Sequence, residues 1–301
     1  MTTTVSTASA ATEMNGNDAD VHRPVLDVAG LTIQYPTPSG LFTAVDGFGV
    51  TLHPGQRVAI VGESGSGKTN SCMAIAGFLD PAAIVRADRM DFRGQDLLSR
   101  KPAPLPRRSP GLAVVFQDAM NSLDPVWTVG SQLVSVIQTT GRLRRKQARV
   151  VAAEWLRKVG LTDTDRVLRA RPYELSGGMR QRVMIALALA GEPKLLLADE
   201  PTSALDATLA RELMLLLVSL AEELGTSVLL VSHDIQLCQE FTDRTIIMRD
   251  GKIVEERESS RLARHAEHPY TQGLLACVPS LDTALLDELP TMNRYLPEAV
   301  R

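Results

Sequence analysis

Residues Gly62 to Thr69 read G-E-S-G-S-G-K-T, a spacing suited to cradling phosphate. Gly62, Gly65 and Gly67 let the backbone turn tightly and aim successive N–H groups inward, forming an anion nest at the positive end of a following helix. Glu63, Ser64 and Ser66 fill the positions between them. Lys68 adds a full charge near the β- and γ-phosphates of a nucleotide. Thr69 offers a hydroxyl to Mg²⁺, a hard cation that takes oxygen ligands and keeps several waters. A chance match in a glycine-rich turn is the competing reading. Against it stands the context: an apolar run, Val58 to Val61, precedes the loop, and a helical pattern through Met73 to Ala76 follows and closes at Pro81.

Further along lie four more groups with chemical potential. Glu174 to Ala190 begins with a Ser-Gly-Gly turn and continues as an apolar helix. Ser176 is placed as its N-cap, and the start is either a second anion site or a plain capped helix. The run Leu195 to Ala198 has the length of a buried parallel strand and ends in Asp199 and Glu200. At the carboxyl end of such a strand one acid can hold Mg²⁺ and its neighbour can polarise an attacking water; alternatively the pair caps a helix. A third apolar strand, Val228 to Ser232, delivers His233 to the same edge, where a histidine is catalytic or structural. Gln117 leaves the apolar run that starts at Leu112, where it completes a metal shell through its carbonyl oxygen or is an ordinary strand-end polar residue.

The elements that must hold these groups follow from patterning. Met1 to Asp20 lacks a basic segment and an apolar core and predicts a disordered tail rather than a leader. Short alternating runs from Val25 predict antiparallel strands, with a loop at Pro36 to Gly40 and a turn at Pro54-Gly55. Tyr35, at the end of one of these strands, either stacks on a base or is a half-buried strand tyrosine. Four prolines predict a loop over Asp91 to Pro110. Val129 to Gly160 has helical periodicity. Its cluster Arg142, Arg144, Arg145, Lys146 and Arg149 reads as a solvated face, with lipid headgroup or RNA as the sharper alternative. An Asp-Gly turn predicts a hairpin over 245–255.

With 301 residues the chain can bury a full α/β core, and a net charge of −3 removes nucleic acid as the default partner. Cys72, Cys238 and Cys277 lie far apart, which argues against a disulfide framework and a zinc site and fits reduced cytosolic thiols. The apolar runs fall short of the ~18 to 20 residues that span a bilayer, so any membrane role is borrowed from a partner.

Taken together, these motifs resemble the ATPase subunit of an ATP-binding-cassette system over about residues 25–280. The resemblance implies an α/β P-loop NTPase with a RecA-like core, an N-terminal antiparallel β subdomain and an α-helical signature subdomain. It implies a tail at 1–23, a nucleotide-binding domain at 24–275 with its helical subdomain at about 118–190, and a C-terminal extension at 276–301. Position by position, Tyr35 matches the aromatic that stacks on adenine. Gly62, Glu63, Ser64, Gly65, Ser66, Gly67, Lys68 and Thr69 match the Walker A loop. Gln117 matches the Q-loop, and Leu175, Ser176, Gly177, Gly178 and Met179 match the signature, with Met179 where glutamine is more familiar. Asp199 matches the magnesium acid, Glu200 the catalytic glutamate, Ser203, Ala204, Leu205 and Asp206 the D-loop, and His233 the switch histidine.

ATP and Mg²⁺, the latter held by Thr69, Gln117 and Asp199, are the implied cofactors. A phosphate loop and a signature helix in one chain point at two places, so each nucleotide is completed by a second ATPase subunit. The strings at 116–125, 200–206, 268–275 (H-P-Y-T-Q-G-L-L) and 278–282 resemble the dipeptide, oligopeptide and nickel importer branch. That branch implies two permease subunits, an extracytoplasmic solute-binding protein, and a peripheral place on the cytoplasmic face of the inner membrane. No cysteine follows Cys277, and no iron–sulfur cluster is expected. The non-transporting ATPase of a phosphonate carbon–phosphorus lyase assembly is the alternative, and a nucleic-acid-associated cassette the third reading.

Overall fold

The computed structural model describes residues 23–99, 109–117, 122–141, 143–203 and 205–278. Residues 1–22 of the expected tail, 100–108 of the proline-broken segment, 118–121, Arg142, Ala204 and the residues after Val278 lie outside them.

The chain opens with β1 (Leu26–Thr37), β2 (Gly40–Leu52) and β3 (Arg57–Val61), then α1 (Lys68–Ala76). Three short strands follow: β4 (Ile84–Arg86), β5 (Arg89–Phe92) and β6 (Gln95–Asp96), and then β7 (Leu112–Val115). Next come α2 (Val129–Gln138), α3 (Arg145–Lys158), α4 (Thr164–Arg169) and α5 (Gly177–Leu189). The chain returns through β8 (Leu195–Asp199), α6 (Ala207–Glu223), β9 (Ser227–Ser232) and α7 (Ile235–Phe241). It ends on the hairpin β10 (Arg244–Arg249) and β11 (Lys252–Glu258), then α8 (Ser259–His265) and α9 (Pro269–Ala276).

Two sheets result. β1 pairs antiparallel with β2, β4 and β5, and β6 extends the edge. The second sheet has the order β11-β10-β3-β9-β8-β7 and is parallel from β10 to β7. Its central strands have apolar interiors, Val58–Val61, Leu195–Ala198 and Val228–Val231, because both faces are covered. The period of two sends Leu195 and Leu197 into a core shared with the antiparallel sheet and α1, while Leu196 and Ala198 enter the core under the helices. Each of these three leucines is fully buried, which stabilises the strand by about 2 kcal/mol apiece.

The helical layer is built on amphipathic spacing. Val129, Leu133 and Ile137 of α2 meet Ala148, Ala152, Trp155 and Leu156 of α3 in one cluster. Thr128 caps α2 by accepting a hydrogen bond from the Ser131 N–H at 3.2 Å.

Several elements differ from the sequence expectation. The expected loop at Pro36 to Gly40 is a tight hairpin, with Thr37 paired to Gly40. The segment from Asp91 is not loop throughout: β5 and β6 occupy it, ordered by pairing with β1 that local proline content does not reveal. Val129 to Gly160 is two helices, α2 and α3, separated by a turn that includes Gly141. α1 ends four residues before Pro81, at a left-handed Gly77 whose N–H bonds the Ala74 carbonyl. The expected hairpin at 245–255 is present as β10 and β11. Among the described residues no helix is long and apolar enough to cross a membrane.

Candidate functional site

The parallel sheet brings the sequence-predicted groups to one edge. β3, β9, β8 and β7 are successive neighbours, and their carboxyl ends deliver Gly62, His233, Asp199 with Glu200, and Gln117 in that spatial order. This is the edge at which open α/β sheets bind ligands.

The phosphate loop is tightly built, but its three glycines are required for different reasons. A Cβ on Gly62 would lie 2.2 Å from the Met248 carbonyl oxygen of β10, so only glycine fits where loop and strand meet. At Gly65 a Cβ would meet nothing within 4 Å; glycine is required there by its φ of +84°, not by crowding. The expectation of a tight turn at Gly65 is thus met through backbone shape alone, and the space in front of it is left open. Gly67, the residue before α1, has φ +97° and is crowded as well, with the Ala44 carbonyl oxygen 2.7 Å from the position of a Cβ. Ser64 is exposed on the outer side of the loop, and Ser66 is buried. Lys68 is buried, and its Nζ donates to the Glu63 carbonyl at 2.8 Å and to Ser66 Oγ at 3.4 Å. Burial lowers its pKa, opposed by the carboxylates of Glu200, Asp199 and Glu63. The ammonium is therefore poorly solvated, surrounded by acids and positioned for a stronger anion.

Thr69 Oγ1 donates to Asp199 Oδ1 at 3.0 Å. Asp199 is the last residue of β8 and is 4% exposed. Burial raises its pKa, opposed by the Thr69 hydrogen bond, with Glu200 raising it further and Lys68 lowering it. A buried carboxylate beside a hydroxyl is an all-oxygen donor pair, the chemistry a hard divalent cation requires. No group of three or more His, Cys, Asp or Glu residues that could hold a metal occurs among the described residues. The pair thus fits a cation that draws its remaining ligands from water and phosphate.

Glu200 stands in the left-handed region at φ +45°, a conformation that costs a non-glycine residue about 1 kcal/mol or more. Its N–H still bonds the Val231 carbonyl at 2.9 Å, so the turn begins directly after the β8–β9 ladder. The carboxylate is thereby brought to Gln117 and His233: Gln117 Nε2 donates to Oε2 at 3.4 Å, and His233 Nδ1 lies 3.3 Å from the same oxygen. Neither acid caps a helix here. That role falls to Asp206, which accepts hydrogen bonds from Thr208 and Leu209 N–H at 3.1 Å each at the start of α6. His233 is largely exposed and faces Glu200 rather than the core.

Tyr35 is partly buried on β1, and its hydroxyl donates to Asn70 Oδ1 of α1 at 2.9 Å, tying the antiparallel sheet to the helix behind the phosphate loop. Leu175 is buried, and Ser176 caps α5 by accepting from the Met179 N–H at 3.3 Å. A Cβ on Gly177 or Gly178 would meet nothing within 4 Å, so this chain's own packing does not demand glycine there. No hydrogen bond among the described residues joins Leu175–Met179 to the phosphate loop. Ser203 and Leu205 close a turn, their N–H groups bonding the carbonyls of Glu200 at 3.3 Å and Thr202 at 3.0 Å.

Among the contacts that sequence reasoning missed, one reaches the phosphate loop. Tyr270 of the H-P-Y-T string is fully buried, and its hydroxyl oxygen accepts a hydrogen bond from the Glu63 N–H at 2.9 Å. The string was legible as a motif, but its contact with a loop 207 residues away was not.

The sequence profile of the ABC transporter family matches residues 45–203. A putative peptide import ATP-binding protein of Brucella melitensis is 40% identical over 279 residues, 92% of this chain and 84% of that protein. A dipeptide transport ATP-binding protein of Haemophilus influenzae is 40% identical over 85% of this chain and 78% of its own. A solved dimeric ATP-binding cassette in a post-hydrolysis state with ADP and Pi is 28% identical. It superposes with a TM-score of 0.62 over 78% of this chain and 98% of that one. The fold expected from the motifs is thus the one found, and this chain belongs to the ABC transporter family.

Proposed function

We propose that this chain is the ATP-hydrolysing subunit of an importer for dipeptides, oligopeptides or a related small solute, working beneath partner permease subunits. The observation that carries the reading is the meeting of Gln117, Glu200 and His233 on one carboxylate oxygen beside the Thr69–Asp199 pair. The names of the relatives supply the solute class and do not favour the phosphonate lyase alternative.

In this reading the N–H groups of the 62–69 loop and Lys68 hold the β- and γ-phosphates, and the Glu63 carbonyl gives up the ammonium as phosphate arrives. The open space at Gly65 leaves its backbone free to approach them. Thr69 and Asp199 would hold Mg²⁺, with Gln117 nearby; bound there, the ion neutralises charge developing on the phosphates. Glu200 accepts a hydrogen bond from the attacking water and orients it. Gln117 and His233 fix the Glu200 carboxylate and sense the γ-phosphate beside it. Tyr35 would stack on the base. Leu175–Met179 and the 203–206 turn serve the partner's nucleotide, through the Ser176 hydroxyl and free N–H groups at the start of α5.

The working unit is a head-to-tail pair of ATPase subunits, a copy or a paralogue, closed by ATP and opened by hydrolysis. It sits peripherally on the cytoplasmic face of the inner membrane, fed by an extracytoplasmic solute-binding protein, and uses neither nucleic acid nor an iron–sulfur cluster. Affinity purification of the tagged chain from native membranes tests this. Co-purifying permease subunits support it, whereas lyase subunits or ribosomes in their place overturn it.

A further inference from the structure

The phosphate loop is held from below by the C-terminal segment. Glu255 of β11 accepts hydrogen bonds from the N–H groups of Glu267 at 2.9 Å and His268 at 3.0 Å, and pairs with Arg257 at 2.6 Å. His268 then caps α9, its Nδ1 accepting from the Tyr270 N–H at 3.1 Å, and Pro269 opens the helix. Tyr270 is thereby fixed with its ring 5.1 Å from the Arg249 guanidinium and its hydroxyl oxygen on the Glu63 N–H at 2.9 Å. Glu63 is gripped on both sides of its α-carbon: the N–H by Tyr270, the carbonyl by Lys68 Nζ and the Ser66 N–H.

We propose that Tyr270 is a positioning residue for the phosphate loop, keeping Glu63, and through its carbonyl Lys68, in the arrangement that receives a nucleoside triphosphate. The inference rests on the ATP-binding reading of that loop and gives the H-P-Y-T string a physical role within it. Without the hydroxyl, the Glu63 N–H loses its partner and finds another only if the loop shifts. Lys68 shifts with it, and only the fraction of molecules still in the competent arrangement binds at full affinity. Chemistry is untouched once nucleotide is bound, because Tyr270 reaches the backbone at Glu63 and none of the groups around Glu200.

The test is Tyr270→Phe in the full chain, which keeps the ring and its packing and removes only the acceptor. MgATP binding by calorimetry is expected to weaken about fivefold, the size of one lost hydrogen bond. Turnover at saturating ATP stays within about twofold, and amide hydrogen exchange accelerates over residues 62–68. Should this variant fold poorly, Glu255→Gln, which loosens the anchor of α9 without touching the ring, weakens binding in the same direction. Wild-type affinity with unchanged exchange at 62–68 overturns the inference. If the unaltered chain binds no MgATP, the ATP reading itself fails; the exchange measurement, made without nucleotide, still decides the role of Tyr270.

Discussion

Thr69 and Asp199, 130 residues apart in sequence, are joined by a hydrogen bond of 3.0 Å. One lies in the first turn of the helix after β3 and the other ends β8, two strands separated in the sheet by β9. Parallel pairing through β9 brings both to the same level, so an oxygen donor pair forms without any local sequence relation. Burial on β8 keeps the Asp199 carboxyl poorly solvated, and a cation placed there would satisfy it.

Replacing Asp199 with Asn is expected to weaken ATP binding about tenfold in the presence of Mg²⁺, a loss typical of a disturbed metal shell. In the presence of a chelator the two proteins should bind ATP within about twofold of each other. Calorimetric titration under the two conditions makes the comparison, and equal losses in both would remove the metal role from this carboxylate.

Glu200→Gln keeps the size of the side chain and removes the charge that Gln117 and His233 surround. ATP affinity should change by less than about twofold, while hydrolysis falls by about 10²- to 10⁴-fold, the usual worth of a positioned general base. The variant should therefore accumulate as an ATP-loaded dimer, visible by light scattering. Near wild-type phosphate release would take Glu200 out of the chemistry.

Gly178 faces open space within its own chain. Gly178→Val should alter stability by no more than about 0.5 kcal/mol, because a helix-surface position tolerates valine. Nucleotide binding to the loop at 62–69 should be intact, yet ATP-driven association should be lost, since the added methyls occupy the partner's approach. Wild-type association would place the signature turn away from the interface.

How much of this was legible in the sequence depends on whether the signal is local. The phosphate loop, the Ser176 cap and the Asp199–Glu200 strand end were legible because residue type and immediate spacing fix their shape. The two cores were implicit in the continuous run Leu195 to Ala198, which only a doubly covered strand requires. Contacts created by tertiary pairing were not legible: β5 on β1, the Tyr35–Asn70 bond, and Tyr270 beneath Glu63. The same holds within the loop, where spacing marks Gly62 and Gly65 alike but the Met248 carbonyl and Ser66 Oγ crowd Gly62 and nothing crowds Gly65. Nor did spacing announce the left-handed backbone at Glu200, which follows directly on its ladder bond to Val231.

Glu255 supplies a pH signature. Burial pushes its carboxyl up, but the Thr271 hydroxyl, the Arg257 guanidinium and the N–H groups of Glu267 and His268 outweigh that and hold it down at about 2, from an ordinary 4.5. Because the folded state binds the proton more weakly, the stabilisation is complete above the ordinary value and drains away as pH falls toward 2. Urea unfolding of Glu255→Gln should therefore show its largest deficit near neutrality and converge on the unaltered protein in acid. A deficit that stays constant down to pH 2 would contradict the assignment.

Each nucleotide is expected to be closed off by a second subunit. The most direct measurement is the ATPase rate per chain across a range of protein concentrations, with mass followed by light scattering in the same samples. The predicted result is a rate that rises with concentration alongside a dimer population that appears only with ATP. A rate that stays constant and full in samples that remain monomeric throughout turnover would contradict it.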